Sequence, residues 1–239
     1  MQEYVPADIH VPPGEEGRTD RFRVYRNLGA IPHVNLYGTT NERLFSVYRD
    51  GYGEELQATV DGLSTGDCVV ATILGDPDDP DEAWRLVRAI RDDTLSTSVA
   101  FAPGVDPERL PAPVTEAPDL RERAAVEPVG RVLEHEGQPV GEVWCQPRDP
   151  LPHDAFLLNV LVGQVPMESH LDGLPKIEAL PAEVLVLDTA TPSDTSYDLP
   201  FGVFVFLTEA GEALGDELRE RYGLPLDRDA DTRPDIDPY

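Results

Sequence analysis

Short apolar runs at period two, each cut off by turn residues, limit this chain to short strands. RFRVYRNL (21–28), PHVNLYG (32–38) and RLFSVYR (43–49) alternate aromatic or branched residues with other types, and Gly29 and Thr39-Thr40-Asn41 separate them. Residues two apart share one face of a strand, so each run can bury one side and show the other to water. CVVATIL (68–74), TSVAFAP (97–103), EVLVLDT (183–189) and FGVFVFL (201–207) are apolar enough for buried strands, and LSTGD (63–67) supplies a tight reversal before the first of them. Leu56, Ala58 and Val60 also alternate with polar positions and read as part of a strand.

Two segments are ambiguous by pattern. AWRLVRAIR (83–91) follows Asp79 and Pro80, which suit a helix start, yet Gly75–Pro80 also serves as a hairpin loop; the strand is preferred because its neighbours are strands. AFLLNVLVGQV (155–165) fits a buried strand or a core helix. Residues 130–146 read as a hairpin turning at Glu136-Gly137-Gln138, and 120–126 as a short helix. Thr208 opens a helix in which Leu214, Leu218 and Tyr222 recur every four residues, with Arg219 and Arg221 in its last turn and Gly223 at its end.

At 239 residues the length allows one large domain or two small ones. The expected architecture is mostly β, of the α+β class. An extended arm (1–19) precedes a small OB-like β-barrel (20–103). A Pro-rich linker (104–118) leads to a β-rich α+β part (119–225) with a C-terminal helix, and an acidic disordered tail (226–239) follows.

Charge sets the chemistry the surface can offer. The chain carries 46 Asp+Glu against 19 Lys+Arg, a net charge of -27, and Lys176 is its one lysine. This composition resembles that of cytosolic proteins of extremely halophilic archaea. At molar salt the Debye length shrinks to about 3 Å, so acid–acid repulsion is screened and carboxylates can hold water and diffuse cations. Arg suits such a surface because its weakly hydrated fork pairs with carboxylates bidentately. General acidity then says nothing about partners. Against that background, residues 18–49 hold Arg18, Arg21, Arg23, Arg26, Arg43 and Arg49 against only Asp20 and Glu42, a locally basic stretch suited to anion contact.

The same stretch interleaves arginine with tyrosine. A barrel wall presenting guanidinium and ring together can clamp and stack a single-stranded nucleic acid. The expected interface comprises Arg21, Arg23, Arg26, Arg43 and Arg49 as anion contacts, with Tyr25, Tyr37 and Tyr48 as stacking rings. The competing account has those arginines paired internally with carboxylates and the rings filling the core.

Other chemistry lacks an organising motif. Asp227, Asp229 and Asp231 imitate an EF-hand opening, but Thr232 stands where that loop needs Gly. Asp76, Asp78, Asp79, Asp81 and Glu82 crowd one loop broken by Pro77 and Pro80. Cys68 and Cys145 are too far apart for a zinc or redox pair. Cys145, His135, His153, Ser169, His170 and Lys176 could supply a nucleophile or base, but no G-x-S-x-G, H-E-x-x-H, P-loop or G-x-G-x-x-G arranges them. No cofactor and no metal is expected. No apolar run reaches the roughly 18 residues of a membrane span and the N-terminus lacks a leader pattern, so the expectation is a cytoplasmic protein with no membrane partner.

Residues 51–101, with the L-x-x-G-D turn, the V-x-A-T strand and the W-R-L that follows, resemble small proteins of halophilic archaea that have no established activity. The resemblance implies a β-rich cytosolic domain with a strand at 83–91, and it carries over no functional residue. The leading expectation is a non-enzymatic binding protein that engages RNA or a ribonucleoprotein through its N-terminal barrel at high salt. The alternatives are a protein-interaction subunit of a cytosolic complex with no nucleic-acid contact, and an enzyme without a recognisable motif.

Overall fold

The computed structural model describes residues 9–26, 32–79, 81–151, 156–194 and 196–234, and the chain divides into two units, 1–96 and 97–239. The first unit holds β1 (Glu16–Arg26), β2 (His33–Gly38), β3 (Leu44–Tyr48), α1 (Glu54–Asp61), β4 (Cys68–Gly75) and β5 (Arg85–Arg91). These strands form one antiparallel sheet in the order β3-β2-β1-β4-β5. The long β1 serves both sides, pairing with β4 along Glu16–Arg23 and with β2 along Phe22–Arg26. Trp84 adds a parallel bridge from the start of β5 to β3: its N–H donates to the Ser46 carbonyl and its carbonyl accepts from the Tyr48 N–H, both at 2.8 Å.

Period-two burial gives this sheet its inner face. Phe22, Val24, Val34, Leu36, Phe45, Val47, Val69, Ala71, Ile73 and Leu86 are buried together, joined by Val60, Leu63 and Trp84. Fully burying a side chain of this kind contributes about 1.5–3 kcal/mol relative to exposure. A Cβ at Gly75 would lie 2.5 Å from Trp84 Cδ2, so only glycine lets that indole lie against β4.

The second unit holds β6 (Ser98–Ala102), a 3-10 turn (Pro107–Arg109), α2 (Ala112–Thr115), α3 (Pro118–Ala124), β7 (Val129–His135), β8 (Gln138–Pro147), α4 (Phe156–Leu161), α5 (Glu168–Leu171), β9 (Glu183–Leu187), β10 (Phe201–Leu207) and α6 (Glu212–Tyr222). Its sheet runs β6-β9-β10-β8-β7, with β6 and β9 parallel and the other pairs antiparallel. One face packs Val143, Cys145, Val203, Val205, Leu185 and Leu187 against α2, α3 and α6 through Val114, Leu120 and Leu218. The opposite face carries a chain of ring contacts, Phe156–Phe204–Phe206–His170–Trp144, at centroid separations of 4.4–5.5 Å.

The molecule is therefore a sheet-rich α+β protein with a C-terminal helix, and the 83–91 segment is a strand. Several boundaries differ from the expectation. Strand 97–103 leaves the N-terminal sheet and pairs with β9, a partner more than eighty residues away that no local pattern announces. The prolines of 104–118 do not make a linker: Pro107 and Pro118 open short helical turns, where a missing N–H costs no hydrogen bond. Residues 54–61 are a helix because Leu56 and Val60, two apart twice over, are also four apart and pack on the core together. The segment 155–165 contains α4. β1 begins at Glu16, inside the expected arm, whose residues 1–8 lie outside the described residues.

The tail is held in place over its described part. Arg219, itself buried, donates to the Pro225 carbonyl at 2.5 Å; Arg228 pairs with Glu183 and Asp216; and Thr232 Oγ1 accepts from the Phe101 N–H. Among the described residues no helix is long and apolar enough to cross a membrane.

Candidate functional site

The outer face of β2 and β3 follows directly from alternation. With Phe45 and Val47 inward, β3 turns Leu44, Ser46 and Tyr48 outward; with Val34 and Leu36 inward, β2 turns His33, Asn35 and Tyr37 outward. Register then pairs them across the strands as His33–Tyr48, Asn35–Ser46 and Tyr37–Leu44. His33 and Tyr48 meet edge to face at 5.5 Å and 74°, and Ser46 Oγ donates to Asn35 Oδ1 at 3.0 Å. The aromatic pair sits at one end of the face, with Tyr48 39% exposed.

An arginine flanks each end of β3. Arg43, exposed, lies with its guanidinium 5.5 Å from the Phe45 ring centroid. Arg49 is half-buried, its N–H donating to the Pro32 carbonyl while its Nε is buried without a hydrogen-bond partner. Neither guanidinium has an ion pair among the described residues, although the chain holds more than twice as many acids as bases. By strand rise, six residues separate these cations by roughly 20 Å. The acidic loop 76–82 runs into Trp84, which is hydrogen-bonded to β3, so carboxylates gather near that edge.

Of the other expected contacts, Arg21 is exposed on β1, next to the loop after β2, where Thr39 N–H donates to its carbonyl. Arg23 and Tyr25 share its outward face but are buried, 1% and 0% exposed. Arg23 Nη1 donates to the carbonyls of Gly66 and Leu95 at 2.8 and 2.5 Å. Arg26 Nη1 is similarly engaged by the Leu63 carbonyl. Arg23 and Arg26 thus tie down the reversal at 63–67 and Tyr25 is buried, so these three side chains are committed to the fold and leave the interface. The face that remains comprises Arg21, the half-buried Tyr37, and Tyr48, while Arg43 and Arg49, at the odd positions shared with inward Phe45 and Val47, border it from the two ends of β3. His33 joins it; its place two residues before Asn35 and four before Tyr37 in PHVNLYG was the available signal.

The sequence candidates for nucleophilic chemistry separate in space or in protonation. Cys145 lies buried in β8, and desolvation pushes its thiol up to about 12, which withholds the thiolate. His153 lies outside the described residues. His170 sits between Trp144 and Phe206 with Nδ1 buried and unpartnered; burial, aided by Lys176, pushes it down to about 4. Lys176 places Nζ 4.7 Å from the Trp144 ring centroid, and its backbone N–H donates to buried Glu142. Among the described residues no cluster of His, Cys, Asp and Glu could hold a metal ion.

The chain matches no family model and no curated protein.

Proposed function

We propose that this is a non-enzymatic binding protein whose first unit is an OB-like barrel that takes single-stranded RNA on the outer face of β2 and β3. Three features support the barrel reading: the strand order, the helix between β3 and β4, and the Trp84 bridge that links the two outer strands. In OB-folds the strand 2–3 face is the oligonucleotide surface. The observation that carries the reading is the His33–Tyr48 ring pair on the outer face, Tyr48 exposed and His33 half-buried, beside a strand whose two ends carry Arg43 and Arg49, neither of them in an ion pair among the described residues. Rings offer bases a stacking platform, and guanidinium forks engage phosphate oxygens. At high salt the acidic loop is screened and counterion release contributes little, so stacking and bidentate hydrogen bonds hold the strand.

The test is fluorescence anisotropy of the full chain with labelled U12, dT12 and a 12-base-pair duplex in molar KCl. U12 should bind best, and Tyr48→Ala should weaken it by tenfold or more, in keeping with about 1–3 kcal/mol per stacked base. Arg43→Gln with Arg49→Gln should weaken it further. No binding, or binding indifferent to all three substitutions, overturns the reading.

A further inference from the structure

A different part of the same sheet leaves apolar side chains in water. On β4, Val69, Ala71 and Ile73 face the core while Val70 points outward, 42% exposed. Register places Val70 directly between Arg21 on β1 and Ile90 on β5, and Ile90 is 52% exposed. The next row outward is Thr19–Thr72–Arg88, where the two hydroxyls share a hydrogen bond at 2.8 Å.

The β4–β5 register shifts between Thr72 and Ile73: Thr72 faces Arg88, Ile73 faces Leu86, and Val87 is the extra residue. That bulge buries Leu86 and exposes Val87 beside Arg88, where strict alternation from inward Ala89 would do the reverse. Bulges re-aim side chains in this way next to functional surfaces. Arg21 and Arg88 are exposed and neither guanidinium has a hydrogen bond among the described residues; Arg21 lies close enough to Asp92 to help the Thr94 hydroxyl hold that carboxyl low, while Arg88 has no ion pair among the described residues. Neighbouring Arg91, by contrast, is neutralised by Asp67 and Asp93.

We infer that the strip formed by Val70, Ile90 and Val87, with Arg21 beside Val70 on β1 and Arg88 between Val87 and Ile90 on β5, docks an acidic segment of a partner protein, one whose apolar side chains alternate with Asp and Glu. The complementarity is chemical. Branched aliphatic groups offer a nucleobase no ring to stack on but cover a partner's apolar side chains well. The exposed guanidiniums of Arg88 and Arg21 can donate to a partner's carboxylates in bidentate pairs.

The inference does not rest on RNA binding, since Val70, Val87, Arg88 and Ile90 lie outside the β2–β3 face and Arg21 is the one residue named for both surfaces. The experiment is selection of a random dodecamer phage library on the full chain, with Val70→Thr/Ile90→Thr and Arg21→Gln/Arg88→Gln as comparison targets. Thr keeps the strand preference at outward positions, and thermal melts verify that both variants fold. Enriched peptides should combine Asp or Glu with apolar residues, bind at least tenfold more weakly to each double variant, and bind Tyr48→Ala as well as they bind the parent. Basic consensus peptides, or peptides retained equally by the variants, overturn the inference. So does a tenfold loss of U12 binding in Val70→Thr/Ile90→Thr, which would assign the strip to nucleic acid. Dimerisation of the parent that this variant abolishes, with no peptide selected, would assign it to a second copy of the chain and equally overturn the inference.

Discussion

Asp188, just beyond β9, accepts hydrogen bonds from both terminal guanidinium nitrogens of Arg148, just beyond β8, and both side chains are almost completely buried. The same carboxylate accepts from the Leu157 N–H at the start of α4 and from the Ala190 N–H. Arg148 in turn donates Nε to the Leu199 carbonyl and lies 4.7 Å from the Tyr197 ring. One ion pair thus joins two strand ends, a helix start and the approach to β10. Removing one partner strands the other charge in the interior, so Asp188→Asn or Arg148→Met should cost about 3–5 kcal/mol. Arg148→Met with Asp188→Leu should recover part of that loss. Urea unfolding of the three variants checks this, and single variants within 1 kcal/mol of the parent would contradict it.

Arg21 and Arg23, two residues apart on one face of β1, should behave oppositely. Arg23 holds two loop carbonyls from the interior, so Arg23→Gln should destabilise the first unit by about 2–4 kcal/mol, given about 1.5–3 kcal/mol for a hydrogen bond to a charged group. Arg21→Gln, at an exposed position, should stay within about 0.5 kcal/mol. Chemical denaturation read by circular dichroism separates them; equal effects would mean that burial does not distinguish the two side chains.

The contrast shows where sequence legibility ends. Alternation identified which residues share a face of β1, turn residues located the β7–β8 reversal, where Glu136 and Gly137 have φ of 51° and 77°, and a four-residue recurrence closed by left-handed Gly223 located the end of α6. Alternation could not say that a loop closes over Arg23 and Tyr25, because cover is a tertiary property. The locally basic count in 18–49 therefore mixed structural arginines with free ones. Parallel pairing of β6 with β9 was hidden for the same reason, and α1 because positions 56 and 60 satisfy both periods.

His170 gives the second unit a specific acid sensitivity. Its imidazole, wedged between Trp144 and Phe206, takes a proton only near pH 4 when folded, against an ordinary value of 6.5 when unfolded. Above pH 6.5 neither state is protonated and the group has no effect. Between 6.5 and 4 the unfolded chain gains a proton that the folded chain refuses, so stability falls, and below 4 the loss is complete. The loss amounts to about 2–3 kcal/mol after allowance for partial exposure. His170→Phe keeps the ring stack and should lose that much less than the parent between pH 7 and 4 in parallel melts, while carboxylate titration affects both alike. Superimposable pH profiles would count against the wedge.

Salt should act on the surface and leave the buried pairs alone. Arg148–Asp188 and Arg219–Glu183 are shielded from solvent ions, whereas exposed acids such as Asp78, Asp79 and Glu82 crowd one loop with no ion pair among the described residues. Their mutual repulsion is relieved as the Debye length falls toward about 3 Å at 1 M salt. The fold should therefore be lost below roughly 0.5 M KCl, where screening weakens, and the melting midpoint should climb steadily from there into the molar range. Screening is distinguishable from a general strengthening of apolar burial, because an uncharged osmolyte such as sucrose promotes burial without shielding charge. Differential scanning calorimetry across KCl and across sucrose at low salt reads the two apart. A sharp cooperative melt in dilute buffer, or rescue by sucrose equal to that by KCl, would show that the carboxylates do not govern stability.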